Sequence, residues 1–334
     1  MTQYQLKSIV GVFICFALFF SGCSNKEQVW IYTSLYKETI SEIKKDLQKD
    51  FPDVEIKFYQ GGSEIVASKV NAELAAGGTK ADLLITSDPF WYLELKNKQL
   101  LLPYNSPKAK AVPSHLKDPD HAFACSRIPV MVMAYNSEVL EQKNTPKTWK
   151  ELLQTQWKDK VSMGSPLESG TNFTTVSFLS ETYGWNFFKG LRKLNIISAG
   201  GNSSVMTRME TKERPVGIVL LENILKSQQK GSPVKPIYPQ DGVIAIPSPI
   251  AITKDTKNPE LTKKVYDWFF SDKAQNAIVK SGMYSPLPHI NPPKNARPWK
   301  ELSANAMKWS PEVLKTILNK RSLIKKNFSE IVLH

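Results

Sequence analysis

Short apolar runs alternate with amphipathic stretches along most of this chain. Residues 29–33, 54–58 and 82–86 are apolar or β-branched runs of strand length, and the segments between them carry apolar residues at helical spacing. Strands that alternate with helices in this way predict βαβ units and a largely parallel sheet. The first hundred residues therefore predict one doubly wound α/β unit.

The middle of the chain repeats this alternation with different residues. Its predicted elements are strands at 161–163 and 216–221 and helices at 172–182 and 204–212. They predict a second α/β domain within the chain. Two extended stretches, residues 123–136 and 234–253, are predicted to cross between the domains.

The remaining segments complete a two-lobed α/β fold. Residues 263–280 predict one amphipathic helix rich in aromatic residues, and a basic helix after Pro311 is predicted to pack on the outside. We expect residues 23–127 and 248–334 to form the first lobe, with the C-terminal helices, and residues 128–247 to form the second. Two crossover strands would join two doubly wound lobes.

The N-terminal segment has the pattern of an export signal. Lys7 precedes an apolar run at 9–20 that is short for a permanent bilayer span, and Cys23 and a polar run follow. This order resembles a bacterial lipoprotein signal, in which the cysteine becomes the lipidated first residue. Phe20 stands where leucine is usual, so a plain secretory signal is the alternative. Both predict export, removal of residues 1–22 and a body tethered at most by its lipid.

The charge limits which ligands are expected, and the cysteine content limits which disulfides and metal sites are expected. The formal charge is +13, from 44 basic and 31 acidic residues, which favours an anionic ligand or surface without saying which. Of the three cysteines only Cys125 lies in the body of the chain, so no disulfide framework is predicted. No cysteine or histidine spacing indicates zinc, and we predict neither a metal nor another cofactor.

Small hydroxyl residues and glycines follow nearly every predicted strand. In open parallel sheets the ligand lies outside the carboxyl ends of the strands, where helix N-termini present free N–H groups. Glycines let the backbone approach an oxyanion, and hydroxyls donate hydrogen bonds without a competing charge. Helix capping explains any single loop equally well, but five such loops around one cleft favour an anion site. The predicted ligand-binding residues are Ser34, Tyr36, Gly62, Ser63, Ser87, Asp88, Trp91, Ser169, Gly170, Thr171, Asn202, Ser203 and Glu222.

A few of these residues, and two arginines, bear on the ligand's chemistry. Glu222 directly follows a buried strand and would bind a hydroxyl or an ammonium group, with an exposed acid of a first helical turn as the alternative. Tyr36 and Trp91 would wall the pocket or else belong to the core. Arg127 and Arg208 are candidates to pair with an anion, although most arginines of a basic protein are solvated.

The sequence contains no recognisable catalytic or nucleic-acid-binding motif. Its four histidines have no acidic or serine partner at a motif spacing, and neither a nucleophile elbow nor a phosphate-binding loop is present. The lysines are spread along an exported chain, which argues against a nucleic-acid partner. We therefore expect a binding protein without catalytic residues rather than an enzyme.

Seven segments of this chain, taken in order, resemble the extracellular solute-binding proteins of ABC importers. The resemblance is to the cluster of periplasmic binding proteins of type II that includes ferric-iron, sugar-phosphate, phosphonate, thiamine and polyamine binders, and it covers essentially the whole mature chain. It implies a monomeric clamp that closes on a small solute by hinge motion and then docks on a permease in the inner membrane. It also implies a periplasmic or cell-envelope lipoprotein. The segments that carry it are 31–38, 61–69, 81–88, 168–171, 215–218, 238–252 and 266–275.

Within that cluster, the residues favour a phosphate- or phosphonate-bearing solute. Ferric binders usually place adjacent tyrosines where this chain has Leu220 and Leu221, and polyamine binders need several carboxylates. The anion would be bound by Ser34, Ser63 and the loop at 169–171, while Glu222 and Asp88 would bind hydroxyls or an amine. The alternatives are a ferric-iron importer component and an exported enzyme or sensor subunit built on the same clamp.

Overall fold

The computed structural model describes residues 26–333. The predicted signal segment and the predicted lipidation site, Cys23, lie outside the described residues. Within the described range, no helix has both the length and the apolar character needed to cross a membrane.

Two mixed β-sheets form the frame of the molecule. The strands are β1 (Glu27–Thr33), β2 (Val54–Gln60), β3 (Leu83–Ile85), β4 (Leu101–Leu102), β5 (Ala124–Arg127), β6 (Val130–Asn136), β7 (Val161–Met163), β8 (Ile197–Ser198), β9 (Val216–Leu220), β10 (Val234–Ile237), β11 (Ile244–Ala245) and β12 (Ser248–Thr253). The first sheet has the order β2-β1-β3-β12-β4, with β5 paired to β12. The second has the order β10-β6-β9-β7-β8, with β11 paired to β6.

Each sheet combines a parallel part with antiparallel crossing strands. In the first sheet β1 runs parallel to β2 and β3, while β12 is antiparallel to β3. In the second sheet β7 runs parallel to β8 and β9, while β6 is antiparallel to β9. The chain passes between the sheets from β5 to β6 and returns from β11 to β12. This arrangement agrees with the predicted pair of α/β lobes joined by two crossings.

Helices cover the faces of both sheets. They are α1 (Lys37–Asp50), α2 (Ser63–Ala75), α3 (Pro89–Asn97), α4 (Gly170–Tyr183), α5 (Trp185–Lys193), α6 (Asn202–Glu210), α7 (Leu221–Gln229), α8 (Pro259–Trp268), α9 (Asp272–Lys280), α10 (Trp299–Ala304) and α11 (Pro311–Phe328). Helix α1 shows why they form, since Ile40, Ile43 and Leu47 recur on its buried face. Helix α3 begins where the Asp88 side chain accepts hydrogen bonds from the first free N–H groups.

The single helix predicted over residues 263–280 is in fact two helices, α8 and α9. The chain leaves the first helix after Trp268, and the Ser271 hydroxyl accepts a hydrogen bond from the backbone N–H of Ala274 to start the second. Phe269 and Phe270, in the connection, are both buried in the core of the first lobe. Their apolar side chains continue the helical periodicity across the break, which is why periodicity did not reveal it.

The sequence predicts that the C-terminal helix α11 packs on the outside as part of the first lobe. The structure instead buries Ile317, Ile324 and Phe328 of this helix within the hydrophobic core of the second lobe. These residues are spaced by seven and then four positions, which places them on one helical face. The many lysines of α11 favour an exposed helix in the sequence, but they lie on its other faces.

Candidate functional site

A cavity of about 150 Å³ lies between the carboxyl ends of the strands of the two sheets. Its volume suits a small solute, because pockets for drug-sized ligands usually exceed about 300 Å³. The first lobe contributes Ser34, Leu35, Tyr36, Gln60, Gly61, Gly62, Ser63, Ser87, Arg127 and Met283, and the second contributes Glu168, Ser169, Thr171, Gly201, Asn202, Ser203, Leu220 and Glu222. Side chains from both lobes therefore enclose one space.

Most of the predicted binding residues line this cavity, and they lie there because helices begin around it. Helices α2, α4 and α6 start at Ser63, Gly170 and Asn202, so their free N–H groups are concentrated at the cavity. The partial positive charge of each helix N-terminus favours an anion. The serine and threonine hydroxyls at these positions add further donors.

Trp91 does not line the cavity. Its side chain is fully buried in the core of the first lobe, and its indole N–H donates to Asn71 Oδ1 at 3.3 Å. The position one turn into α3 directs the ring toward α2 rather than toward the cleft. The prediction that Trp91 walls the ligand pocket was therefore wrong.

Asp88 and Gly170 also lie outside the lining, and both have other roles. The Asp88 carboxylate caps α3 and forms an ion pair with Arg321 at 2.6 Å, so it is not free to bind a hydroxyl or an amine. Gly170 opens α4 at a point where the second lobe touches the first. A Cβ at this glycine would lie 2.8 Å from Ser63 Cβ and 2.9 Å from Asp88 Cβ.

Arg127 places a cation in the cavity, and the predicted binding set did not include it. The side chain is almost completely buried, and its Nη2 donates to Ser34 Oγ at 3.1 Å and to Ser87 Oγ at 3.0 Å. Its Nη1 has no hydrogen-bond partner anywhere in residues 26–333. Burial lowers the pKa of this guanidinium because a charge is costly away from water. An anion in the cavity would compensate it.

The signal that points to Arg127 is its place within a crossing strand. It stands in a run of small and apolar residues at 124–130, all of which are buried. A lone arginine buried in such a run keeps its guanidinium inside the protein, where it requires hydrogen-bond or anionic partners. Arg208, the other arginine considered, does not line the cavity and donates to Ser162 Oγ at 3.2 Å.

Glu222 supplies a carboxyl group on the opposite lobe. It lies in the first turn of α7, is almost fully buried, and its Oε2 lacks a hydrogen-bond partner in the described part of the chain. Burial raises the pKa of Glu222 to about 7, and the nearby charges of Arg127 and Lys226 only partly oppose this. A ligand ammonium would stabilise the carboxylate, and a ligand hydroxyl could bind to either form.

Direct contacts between the lobes close the cavity on several sides. Tyr36 Oη donates to Asn223 Oδ1 at 2.9 Å, and Lys226 Nζ donates to Thr39 Oγ1 at 3.2 Å. A Cβ at Gly62 would lie 2.7 Å from the carbonyl oxygen of Glu168 in the other lobe. The structure therefore presents the lobes in contact around the site.

A wider and more open chamber of about 410 Å³ adjoins the cavity and shares Tyr36 and Ser203 with it. Its walls are largely surface groups of α1, α6 and α7, including the exposed Glu42–Lys280 ion pair. The smaller cavity is the better candidate site, because it holds the buried polar atoms of Arg127 and Glu222 that lack partners. Buried polar groups are normally satisfied by hydrogen bonds.

Protonation of Glu222 should make the stability of the ligand-free protein depend on pH. Because its folded-state pKa of about 7 exceeds the ordinary 4.5, the folded protein binds the proton more tightly than the unfolded chain. This contribution to stability is complete below about pH 4.5 and is lost as the pH rises through about 7. Between these two pH values the contribution of Glu222 to the free energy of unfolding changes by about 3 kcal/mol, because each pKa unit corresponds to about 1.36 kcal/mol.

Urea unfolding of the wild type and of Glu222→Gln across this pH range measures that contribution. The variant cannot titrate at this position, so the difference between the two unfolding free energies should change with pH in favour of the wild type at acid pH. Other titrating groups are common to both proteins and cancel in the difference. A difference that stays constant from acid to neutral pH would show that Glu222 has an ordinary pKa.

Known proteins resemble this chain in sequence and in fold. A sequence profile of the family described as bacterial extracellular solute-binding protein matches residues 78–310, more than half of the chain. A Salmonella typhimurium protein, provisionally named a 2-aminoethylphosphonate-binding periplasmic protein, is 23% identical over 244 residues, which span 70% of each chain.

Two solved structures show the same fold at low sequence identity. The periplasmic binding protein AfuA of Actinobacillus pleuropneumoniae, with fructose-6-phosphate bound, superposes with a TM-score of 0.81 at 20% identity and covers 92% of this chain and 99% of its own. Iron-bound HitA of Pseudomonas aeruginosa has a TM-score of 0.78 at 20% identity and covers 90% and 99%. Both confirm the predicted type II arrangement of two α/β lobes. The matched profile places this chain in the family of bacterial extracellular solute-binding proteins.

Proposed function

We propose that this chain is the solute-binding component of an ABC importer, and that its solute is a small phosphonate or phosphate ester that also carries an amino group. The observation that carries the proposal is one buried cavity lined by two unpartnered groups of opposite charge, Arg127 Nη1 and Glu222 Oε2. A zwitterionic solute would satisfy both groups at once. It would thereby remove the cost of leaving them buried without partners.

The donors around Arg127 suit a tetrahedral anion. A phosphonate has three oxygens that can accept several hydrogen bonds, and the hydroxyls of Ser34, Ser63 and Ser87 lie on the same side of the cavity as the guanidinium. Across the cavity, Asn202 Nδ2 already donates to Thr171 Oγ1, while Asn202 Oδ1 has no partner among the described residues. That free acceptor could also bind an ammonium group.

The relatives support the proposal without deciding it. The Salmonella relative is named for 2-aminoethylphosphonate, and the AfuA structure has fructose-6-phosphate bound. A Sinorhizobium fredii relative is named as a probable periplasmic-binding protein of an ABC transporter, which supports export to the periplasm and delivery to a membrane permease. We also propose that a lipid on Cys23 tethers the mature protein to the cell envelope.

A ferric-iron site is the main competing function, since iron-bound HitA shares the fold. Among the described lining residues Tyr36 is the one tyrosine, and burial raises the pKa of its phenol, which disfavours the phenolate that binds Fe(III). Residues 26–333 contain no group of three or more histidine, cysteine, aspartate or glutamate side chains placed to hold a metal ion. These features favour the phosphonate proposal over iron.

A thermal-shift screen with matched compounds tests this proposal. Residues 24–334 would be heated with 2-aminoethylphosphonate, with ethylphosphonate, which lacks the amine, and with ethanolamine, which lacks the acid. At one hundred times its dissociation constant, a ligand adds about 2.7 kcal/mol to the stability of the folded state. We expect the largest shift with 2-aminoethylphosphonate, a smaller one with ethylphosphonate and none with ethanolamine.

Three further compounds in the same screen distinguish the alternatives. A shift with Fe(III), accompanied by the visible absorption of a tyrosinate complex, would replace the phosphonate proposal by an iron function. A shift with fructose 6-phosphate but not with the aminophosphonate would keep the anion site and reject the amine. Phosphorus NMR of the bound compound should show it unchanged after long incubation, whereas its conversion would indicate an enzyme.

A further inference from the structure

Helix α11 lies between the two lobes. One face is buried in the core of the second lobe, as described above, and the helix packs against α3 of the first lobe and α4 of the second. Just before it, the Trp309 ring stacks on Phe90 of the first lobe at 5.6 Å and meets Phe178 of the second at 4.8 Å. The end of the chain therefore connects both lobes beside the cavity.

Arg321 links α11 to the first lobe by ion pairs. Its guanidinium forms ion pairs with Asp88 Oδ2 at 2.6 Å and with Glu64 Oε1 at 2.8 Å, and its Cζ lies 4.8 Å from the centre of the Phe173 ring in the second lobe. Lys325, one turn further along, pairs with the other oxygen of Glu64 at 2.6 Å. The carboxylates are little exposed, with 1% of the Asp88 side chain and 10% of the Glu64 side chain accessible.

These two carboxylates stand directly after two hydroxyls of the cavity. Glu64 follows Ser63, Asp88 follows Ser87, and the backbone N–H of Ser87 donates to Ser63 Oγ at 3.1 Å. Two uncompensated negative charges so close to the anion site would repel an anionic solute. The two carboxylates also repel each other. Burial raises the pKa of Glu64 most, and the negative charge of Asp88 raises it further.

We propose that Arg321 is a positioning residue for solute binding: it neutralises Glu64 and Asp88 from outside the cavity and holds the loops that carry Ser63 and Ser87. The proposal rests on the proposed function in that the solute is an anion. Arg321 does not line the cavity, so its effect on binding passes through these two carboxylates.

Four variants, the last of them Arg321→Lys, separate this role from simple structural support. Arg321→Met removes the charge and keeps much of the side-chain volume. The triple variant Glu64→Gln/Asp88→Asn/Arg321→Met also removes the two carboxylates, while asparagine can still cap α3. Lys320→Met is the matched control, because it removes an exposed ion pair of the same helix, with Glu181 at 3.1 Å.

The measurements are the melting midpoint without ligand and the calorimetric affinity for 2-aminoethylphosphonate, taken well below every midpoint. We expect Arg321→Met to weaken binding about tenfold and to lower the midpoint, because it leaves the buried Asp88 carboxylate without its ion-pair partner and leaves Glu64 with Lys325 alone. The triple variant should regain most of both losses, and Lys320→Met should match the wild type in both. Arg321→Lys should fall between the wild type and Arg321→Met, since it keeps the charge but lacks the planar guanidinium whose Nη2 pairs with both carboxylates.

A triple variant that binds and melts like Arg321→Met would overturn the proposal, because charge compensation would then have no part in the effect. Unchanged affinity in Arg321→Met would overturn it as well. If the wild type itself binds no phosphonate, the proposed function fails. In that case the melting midpoints still test whether Arg321 compensates the two carboxylates. A triple variant that melts no higher than Arg321→Met would reject that role.

Discussion

Replacement of Arg127 by methionine is expected to weaken binding of 2-aminoethylphosphonate by about a hundredfold or more. Loss of one partner of a buried, hydrogen-bonded charge pair costs about 2–5 kcal/mol, and each 1.4 kcal/mol corresponds to a factor of ten. The ligand-free protein should be as stable as the wild type or more stable. The reason is that the wild-type guanidinium is buried with Nη1 unpartnered in the described chain, whereas methionine is apolar and of similar length.

These opposite effects on affinity and stability make the Arg127 variant informative. Isothermal calorimetry gives the affinity, and urea unfolding without ligand gives the stability. Arg192→Met is the control, since Arg192 is an exposed residue in the last turn of α5 and the same chemical change there should alter neither quantity. If Arg127→Met bound the phosphonate as tightly as the wild type, the anion would have to bind elsewhere. A large loss of stability would instead mean that Arg127 is mainly structural.

Much of the site could be predicted because its signals are local. Ser34, Ser63 and Ser169 each follow a strand or begin a helix, and both the strand pattern and the capping residue can be recognised from a few neighbouring residues. The topology then brings these loops together, since the carboxyl ends of parallel strands meet at one edge of a sheet. The fold class followed from the same alternation of strands and helices.

The residues that the sequence names only as candidates or places wrongly depend on contacts between distant parts of the chain. Arg127 is buried because Ser248 and the rest of β12 return from far along the sequence to pair with β5. Trp91 faces the core because of how α3 packs, which its own neighbours in sequence do not specify. Asp88 is a plausible ligand for an amine until α11 places Arg321 beside it. Apart from the small and apolar residues around Arg127, these contacts have no local signature, and the packed structure is needed to reveal them.

Gly170→Ala is expected to weaken ligand binding about thirtyfold without touching the ligand. The added Cβ would lie 2.8 Å from Ser63 Cβ and 3.0 Å from the Ser87 carbonyl oxygen, both in the opposite lobe. Overpacking of this kind costs about 1–3 kcal/mol, and a cost of about 2 kcal/mol corresponds to roughly thirtyfold in affinity. Because the clash is relieved when the lobes separate, the substitution should act on closure and not on the folding of either lobe.

Gly201→Ala provides the matched comparison for that test. Gly201 lines the same cavity and precedes α6, but a Cβ there meets no atom within 4 Å. Both glycines lie at the start of a helix, Gly170 as the first residue of α4 and Gly201 as the N-cap of α6, so alanine at either position should not unfold the helix. Small-angle scattering should show that the wild type and Gly201→Ala reach the same compact form with ligand, whereas Gly170→Ala stays more extended and binds weakly by calorimetry. Equal compaction and equal affinity in all three proteins would mean that the lobes do not need the close contact at Gly170 to hold the solute.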